Sequence, residues 1–280
     1  MIKLGLIGMN IQKSRAPALH RLLAELHGVP LTYELQEVES NSAEAFETTL
    51  TRLRNDGFAG CNVTFPFKQL AYTHVHCPDL SARRVGSINT LSFDGSIRAT
   101  NTDYTGFIRA YRNCLGTLPA GKALMLGAGG VGRAVAFGLQ ELGLDQLYVF
   151  DLDIQRATDL AESLRSKQIP AEVVEAEHLD KISQQVDGLI NCTPVGHYTS
   201  PGLPLDPNLI GHQAWCFDAV YTPLETEFLS ACRDHGMNVI SGFELFLYQG
   251  LDAFEFWTGV STNEMRARSA FLDAFDLSEV

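Results

Sequence analysis

The sequence predicts an α/β protein of two domains, and three observations carry that prediction. Short apolar runs alternate with helix-length stretches along the chain, as strand–helix–strand units require. The alternation begins a second time after a segment punctuated by Gly116, Pro119 and Gly121. The 280 residues, 45% hydrophobic and 19% charged, suffice for two medium-sized cores.

In chain order, Lys3 to Ile7 reads as a first buried strand; its apolar run meets Gly8 and Asn10 too soon for a signal-peptide core or a membrane span. A helix follows from Ala16 to His27, with Pro17 in its first turn and a stop at Gly28 before Pro30. Strand Thr32 to Glu37, helix Ala43 to Asp56 and a strand around Gly60 to Val63 complete a βαβαβ series, for which an open parallel sheet is expected. A helix from Gly106 to Cys114 leads into the second series. Its strands fall at Lys122 to Leu126, Gln146 to Phe150, Ala171 to Val174, Gly188 to Asn191, Trp215 to Asp218 and Asn238 to Ile240. From Gly242 onward the chain reads as helical, and Phe243, Leu245, Phe246, Leu247, Phe254, Phe256 and Trp257 offer a large apolar surface to a core.

Charge and cysteine usage narrow the function classes. A net charge of -12 argues against a nucleic-acid partner, which clustered Lys and Arg would serve. A small molecule is the expected ligand. Cysteines 61, 77, 114, 192, 216 and 232 lack paired C-x-x-C spacing, which predicts reduced thiols and a cytoplasmic setting. His74-Val75-His76-Cys77 is the tightest metal-like cluster, but it lacks a second ligand pair and no metal is expected.

Strand Lys122 to Leu126 runs directly into Gly127-Ala128-Gly129-Gly130-Val131-Gly132, and the helix-compatible residues Arg133 to Leu139 follow. This is G-x-G-x-x-G in the context its physics requires. Gly127 allows the tight turn, Gly129 lets backbone approach a pyrophosphate, and Gly132 lets helix and strand pack closely, so a Rossmann domain binding a dinucleotide is expected. The next strand ends in Asp151, about twenty residues on, where a carboxylate accepts hydrogen bonds from the adenosine ribose. Its charge, with Asp153 beside it, would repel a 2′-phosphate, so NAD is favoured over NADP; Arg156 is the one nearby cation that would argue the other way. Asp151 also reads as a helix cap after its strand.

Three polar clusters fall in the first half: Asn62-Val63-Thr64-Phe65-Pro66-Phe67-Lys68, Gly86-Ser87-Ile88-Asn89-Thr90 and Asn101-Thr102-Asp103. Each follows a strand or turn, where sites in open sheets are built. The string Gly60 to Lys68, followed in order by Gly86 to Thr90, Asn101 to Asp103 and the glycine loop, resembles the shikimate/quinate dehydrogenase family. The similarity continues through Asn191-Cys192-Thr193-Pro194-Val195-Gly196, Asp218 to Pro223 with Thr226, and Tyr248-Gln249-Gly250 before Trp257-Thr258-Gly259, and so covers nearly the whole chain.

That resemblance implies a discontinuous α/β open-sheet substrate domain, residues 1–104 completed by C-terminal helices in 240–280, around a central Rossmann domain of residues 105–239. It implies Lys68 and Asp103 as the catalytic pair, Thr64 and Asn89 on ring hydroxyls, Ser14 on the substrate carboxylate, and Tyr221 and Gln249 as further substrate contacts. Thr193, Val220 and Gly242 would join residues 127–132 and Asp151 around the cofactor. The implied activity is reversible NAD-dependent oxidation of a ring hydroxyl of shikimate or quinate to the 3-dehydro ketone, by a monomer or homodimer. The residue types suit it, since removal of hydride from a secondary alcohol leaves a proton for an amine or carboxylate to accept. The alternatives are a dehydrogenase of a related cyclic polyol or amino-substituted acid, and a non-catalytic NAD-binding sensor. Retention of Lys68, Asn89, Asp103 and Gln249 weighs against the sensor.

Two positions depart from the family pattern. A hydroxyl residue commonly stands where this chain has Ala16, which removes one carboxylate contact worth on the order of 1.5–3 kcal/mol and points to compensation by Lys13 or Arg15. His197 occupies a place commonly held by methionine. Ser14-Arg15 together with Asp151-Leu152-Asp153 is more similar to the NAD-using quinate/shikimate branch than to the NADP-using biosynthetic enzymes.

Overall fold

The computed structural model describes residues 1–274, so residues 275–280 of the expected C-terminal segment lie outside it. The chain divides into two compact units: residues 1–105 with the described residues from Leu247 onward, and Gly106–Phe246.

The first unit opens with β1 (Ile2–Gly8), α1 (Ala16–His27), β2 (Leu31–Glu37), α2 (Ala43–Asn55) and β3 (Gly60–Val63), the elements that hydrophobic periodicity predicts. β1 pairs in parallel with β2 and with β3. Its residues 4–8 are all buried, as befits a central strand covered on both faces. Leu4 and Leu6 enter a cluster with Ile11 and Tyr33, while Ile7 enters one with Phe46, Leu53, Phe58, Val63 and Phe67. Ser42 caps α2 by accepting the Ala45 N–H, and α1 ends at Gly28 in the left-handed conformation.

The rest of this sheet departs from the parallel expectation. After α3 (Lys68–Thr73), β4 (Cys77–Pro78) and α4 (Leu80–Val85), strands β5 (Thr90–Ser92) and β6 (Arg98–Thr100) form a hairpin, with Asp94-Gly95 in its turn and Gly95 at φ 68°. β5 is antiparallel to both β3 and β6, and the sheet runs β2-β1-β3-β5-β6-β4. The sheet is therefore mixed rather than parallel, because a short hairpin replaces a helical crossover.

Helix α5 (Thr102–Leu115) starts four residues before the expected Gly106. The Asn101 side-chain oxygen accepts the Tyr104 N–H, which places the helix start at the end of β6. The second unit then follows the expected alternation: β7 (Gly121–Leu126), α6 (Gly130–Leu139), β8 (Leu144–Phe150), α7 (Ile154–Arg165), β9 (Ala171–Val173), α8 (Leu179–Ser183), β10 (Gly188–Asn191), β11 (Trp215–Asp218), α9 (Glu227–Asp234) and β12 (Asn238–Ile240). All pairings are parallel in the order β12-β11-β10-β7-β8-β9, the doubly wound arrangement whose strand order reverses between β7 and β10.

The last helices are α10 (Gly242–Thr258) and α11 (Glu264–Ala274). The division between units falls inside α10, at Phe246 and Leu247, rather than at the expected residue 240. A helix continuous across that point has no loop to mark the change. Within the first unit α10 lies against α1, where a Cβ at Gly250 would stand 2.3 Å from Leu19 Cδ2, and Trp257 Nε1 donates to the Leu91 carbonyl at 2.8 Å. Phe243, Leu245, Phe246, Leu247 and Phe254 are buried, whereas Phe256 and Trp257 are half-buried.

Candidate active site

Strand direction explains why the polar clusters of the first unit converge. Ser14 follows the carboxyl end of β1 and Thr64 that of β3, the adjacent parallel strand. Gly8 makes the approach of Thr64 possible, since a Cβ there would lie 2.3 Å from Thr64 Cγ2. Because β5 is antiparallel to β3, its start lies beside the end of β3, and Val63 N donates to the Asn89 carbonyl at 2.8 Å. Reversal again at β6 returns Asn101, Thr102 and Asp103 to the same end of the sheet.

Lys68 stands first in α3, after the turn in which Phe67 N donates to the Thr64 carbonyl. Ile88 N donates to the Lys68 carbonyl at 2.9 Å, which ties the lysine backbone to the 86–90 segment. Asp103 lies in the first turn of α5. Lys68 Nζ donates to Asp103 Oδ2 at 2.6 Å, with both side chains about nine-tenths buried. A buried pair of this kind holds its geometry strongly, because removing one partner strands a charge at a cost of about 3–5 kcal/mol. An ammonium has three N–H donors, so this contact leaves capacity for a ligand oxygen.

Asn89 is fixed by the same architecture. Its side-chain oxygen accepts the Thr102 N–H at 2.7 Å, and its amide donates to the Thr102 hydroxyl at 2.9 Å. Asn62 was not singled out by sequence reasoning, yet it is the hub beneath: it donates to the Asn89 carbonyl and to Thr90 Oγ1, and accepts from the Tyr33 hydroxyl at 2.6 Å. An asparagine between Cys61 and Val63 in a wholly buried strand was the available signal. Ser14 is half-buried and its hydroxyl accepts the Ala16 N–H at 3.3 Å; Thr64 and Gln249 are also half-buried. Lys13 is exposed and Arg15, at the N-cap of α1, is half-buried. Tyr221 belongs instead to the second unit, where its ring stacks on Phe246 at 4.7 Å.

The glycine loop of the second unit has the geometry a pyrophosphate needs. Gly127 sits at φ 95°, and a Cβ there would meet the Cys192 backbone at 2.7 Å. A Cβ at Gly132 would lie 2.3 Å from the Gly127 carbonyl oxygen, so only glycine allows α6 this close to the loop. Gly129, the N-cap of α6, is exposed, with nothing within 4 Å of its Cβ position. Asp151 closes the loop from β8: Oδ2 accepts the Ala128 N–H at 2.7 Å and Oδ1 the Asp153 N–H at 2.9 Å. The cap of α7 is Asp153, which accepts the Gln155 N–H, so the capping alternative for Asp151 is set aside. Arg156 Nε pairs with Asp153 Oδ2 at 3.3 Å.

Thr193 and Val220 follow β10 and β11, both ends tied to Asp218. Thr193 donates through its backbone and hydroxyl to Asn191 Oδ1, and Val220 N donates to Asp218 Oδ1. Gly242 begins α10 against this loop, its Cβ position 2.5 Å from the Val220 carbonyl oxygen. Thr199 N donates to His197 Nδ1 at 3.2 Å.

Known proteins resemble this chain along nearly its whole length. Residues 6–91 match the family described as shikimate dehydrogenase substrate binding domain. A shikimate dehydrogenase (NADP(+)) of Pseudarthrobacter chlorophenolicus is 35% identical over 99% of this chain and 96% of its own. A quinate/shikimate dehydrogenase (NAD(+)) of Corynebacterium efficiens is 34% identical over 97% and 98%. The solved structure of quinate dehydrogenase from Corynebacterium glutamicum in complex with NAD superposes with a TM-score of 0.89 at 33% identity, covering 97% of this chain and 99% of that one.

Proposed function

The chain belongs to the shikimate/quinate dehydrogenase family of NAD(P)-dependent oxidoreductases, and from that premise we propose that it oxidises a ring hydroxyl of shikimate or quinate to the 3-dehydro ketone, reversibly and with NAD. The buried Lys68–Asp103 pair carries this reading. In it the first unit binds the acid and performs the proton chemistry, and the second holds the dinucleotide.

Thr64 and Asn89 hold ring hydroxyls, Gln249 adds a contact, and Ser14 binds the carboxylate. Lys68 Nζ hydrogen-bonds the reacting hydroxyl, and its proton passes to the Lys68–Asp103 pair as the C–O bond gains double-bond character. Burial excludes water from the developing charge and keeps the amine aimed at one oxygen. When bound, the dinucleotide supplies the hydride acceptor. The glycine loop fits it, since Gly129 offers open backbone at a helix N-terminus, and in this reading Asp151, Thr193, Val220 and Gly242 join residues 127–132 in holding it. Asp151 supports NAD over NADP, because its carboxylate suits ribose hydroxyls and repels a 2′-phosphate, while Asp153 engages Arg156.

The test is a panel of shikimate, quinate and an amino-substituted relative, each with NAD and with NADP, read as reduced nicotinamide. Lys68→Ala should lower kcat by about 10²–10⁴-fold while NADH binding stays within twofold of the parent. Unimpaired turnover in that variant rejects the dyad. NADH binding with no turnover across the panel supports the sensor reading instead.

A further inference from the structure

The second unit holds a carboxylate that the reaction above does not use. Asp218, at the carboxyl end of β11, is wholly buried, and among the described residues no cation pairs with it. Three donors from three segments converge on it: Asn191 Nδ2 at 2.9 Å from the end of β10, Val220 N at 3.0 Å from its own loop, and Thr226 Oγ1 at 2.6 Å from the N-cap of α9. Asn191 carries the connection onward, donating to the Val195 carbonyl and accepting from Thr193 N and Oγ1. Gly196, at φ 104°, places its Cβ position 3.9 Å from Asp218 Oδ2. The segments 191–196 and 218–226 thus share one buried anion as their common acceptor.

In doubly wound sheets ligands bind beyond the carboxyl ends of the strands where strand order reverses, here between β7 and β10. Both tied segments leave strands on the β10 side of that point. We propose that Asp218 is a positioning residue for dinucleotide binding: its carboxylate locks the loops after β10 and β11 in the conformation that receives the nucleotide. The proposal rests on the reading of residues 127–132 as a nucleotide site.

Burial without a counter-ion raises the Asp218 pKa from 3.8 to about 6, against the opposing pull of its hydrogen bonds from Thr226, Val220 and Asn191. The other titratable groups facing it are the Cys192 and Cys216 thiols. Burial drives Cys192 upward; a hydrogen bond with Cys232, then burial, drives Cys216 upward, so both stay neutral and supply no charge. The ionised form is thus held at a cost to stability at neutral pH, and a residue present only to stabilise the fold would have no reason to be charged there. Protonation converts one acceptor oxygen into a donor and deprives one of the three partners.

The experiment compares wild type with Asp218→Asn, which keeps the shape, reading NADH dissociation constants by fluorescence and thermal midpoints of the unliganded protein. Expected at about pH 8 is a dissociation constant about fivefold higher in the variant, with a midpoint equal to or above that of wild type. The ratio of the two constants should fall toward one as pH drops below about 6, because wild-type Asp218 then becomes neutral too. Equal affinities, a lowered midpoint or a pH-independent ratio each overturns the assignment. Should the variant not fold, Thr226→Ser and Thr226→Ala replace it: alanine weakens NADH binding, serine retains it, and equal affinity in both overturns the proposal. Absence of NADH binding by wild type overturns the nucleotide reading itself, and this inference with it.

Discussion

Two glycines of one loop should respond oppositely to the same added methyl group. At Gly129 the backbone is at φ -71° and ψ -169°, which alanine adopts, and no atom lies within 4 Å of the new Cβ. Reduced freedom of the unfolded chain contributes about 0.4–1 kcal/mol of stability, and loss of glycine at an N-cap removes a similar amount. The two offset, so the thermal midpoint of Gly129→Ala should stay within about 2 °C of wild type. Its methyl group nevertheless occupies the space a pyrophosphate needs, and loss of a hydrogen bond to a charged group, on the order of 1.5–3 kcal/mol, weakens NADH binding by about 10–150-fold. At Gly132 the Cβ would stand 2.3 Å from a backbone carbonyl oxygen that no rotamer moves aside. Overpacking there costs about 1–3 kcal/mol and should lower the midpoint by several degrees as well as impairing binding. Fluorescence titration with NADH and thermal unfolding of the unliganded variants read both quantities. NADH affinity in Gly129→Ala within twofold of wild type refutes the reading of this loop as a pyrophosphate cradle.

Asp151→Ala should shift the kcat/KM ratio of NADP over NAD upward by about tenfold or more, with steady-state rates on both cofactors as the check; an unchanged ratio assigns the preference elsewhere. Arg15→Ala or Lys13→Ala should raise the KM for the acid by about tenfold without changing the KM for NAD, and unchanged values in both single variants reject compensation for Ala16. His20 predicts a pH dependence of stability. Burial lowers its pKa from 6.5 to about 3, against the smaller opposing pull of the neighbouring Asn62 side chain. The unfolded chain therefore takes up this proton first, and stability present above pH 6.5 is lost as pH falls toward 3, by on the order of 4 kcal/mol. Asp218 opposes this in part between about pH 6 and 3.8. His20→Phe retains a ring to stack on Tyr33 and should flatten the urea-midpoint profile between pH 6.5 and 5; a parallel profile refutes the attribution.

What was legible in the sequence follows the length of the signals. β1, β3, β7, β10 and β11 each present at least four buried residues and β8 alternates buried with part-exposed ones, and all fell where periodicity put them. β4, β5 and β6 span two or three residues, too few for any period to register, although Asp94-Gly95 carried a turn signal. The antiparallel pairing of β5 with β3 and β6 gathers the polar clusters at one end of the sheet, so the family resemblance implied roles for Lys68, Asn89 and Asp103 while local pattern did not supply their meeting point. Asn62 and the link from Asp218 to Asn191 depend on partners 27 or more residues away, beyond the reach of a local reading. The crossing inside α10 was misplaced because an unbroken helix carries no break in composition.

The attachment of Lys68 to the 86–90 segment through its own carbonyl separates two design problems in this protein. Lys68 is thereby referenced to β3, β5 and β6, whereas residues 13–16 follow the end of β1 on a separate stretch of chain. On the function proposed above, changes to that stretch would retune which acid is accepted while leaving the Lys68–Asp103 pair in register. An altered diet of substrates would then be open to this scaffold through a few substitutions at residues 13–16, without renewed optimisation of its chemistry.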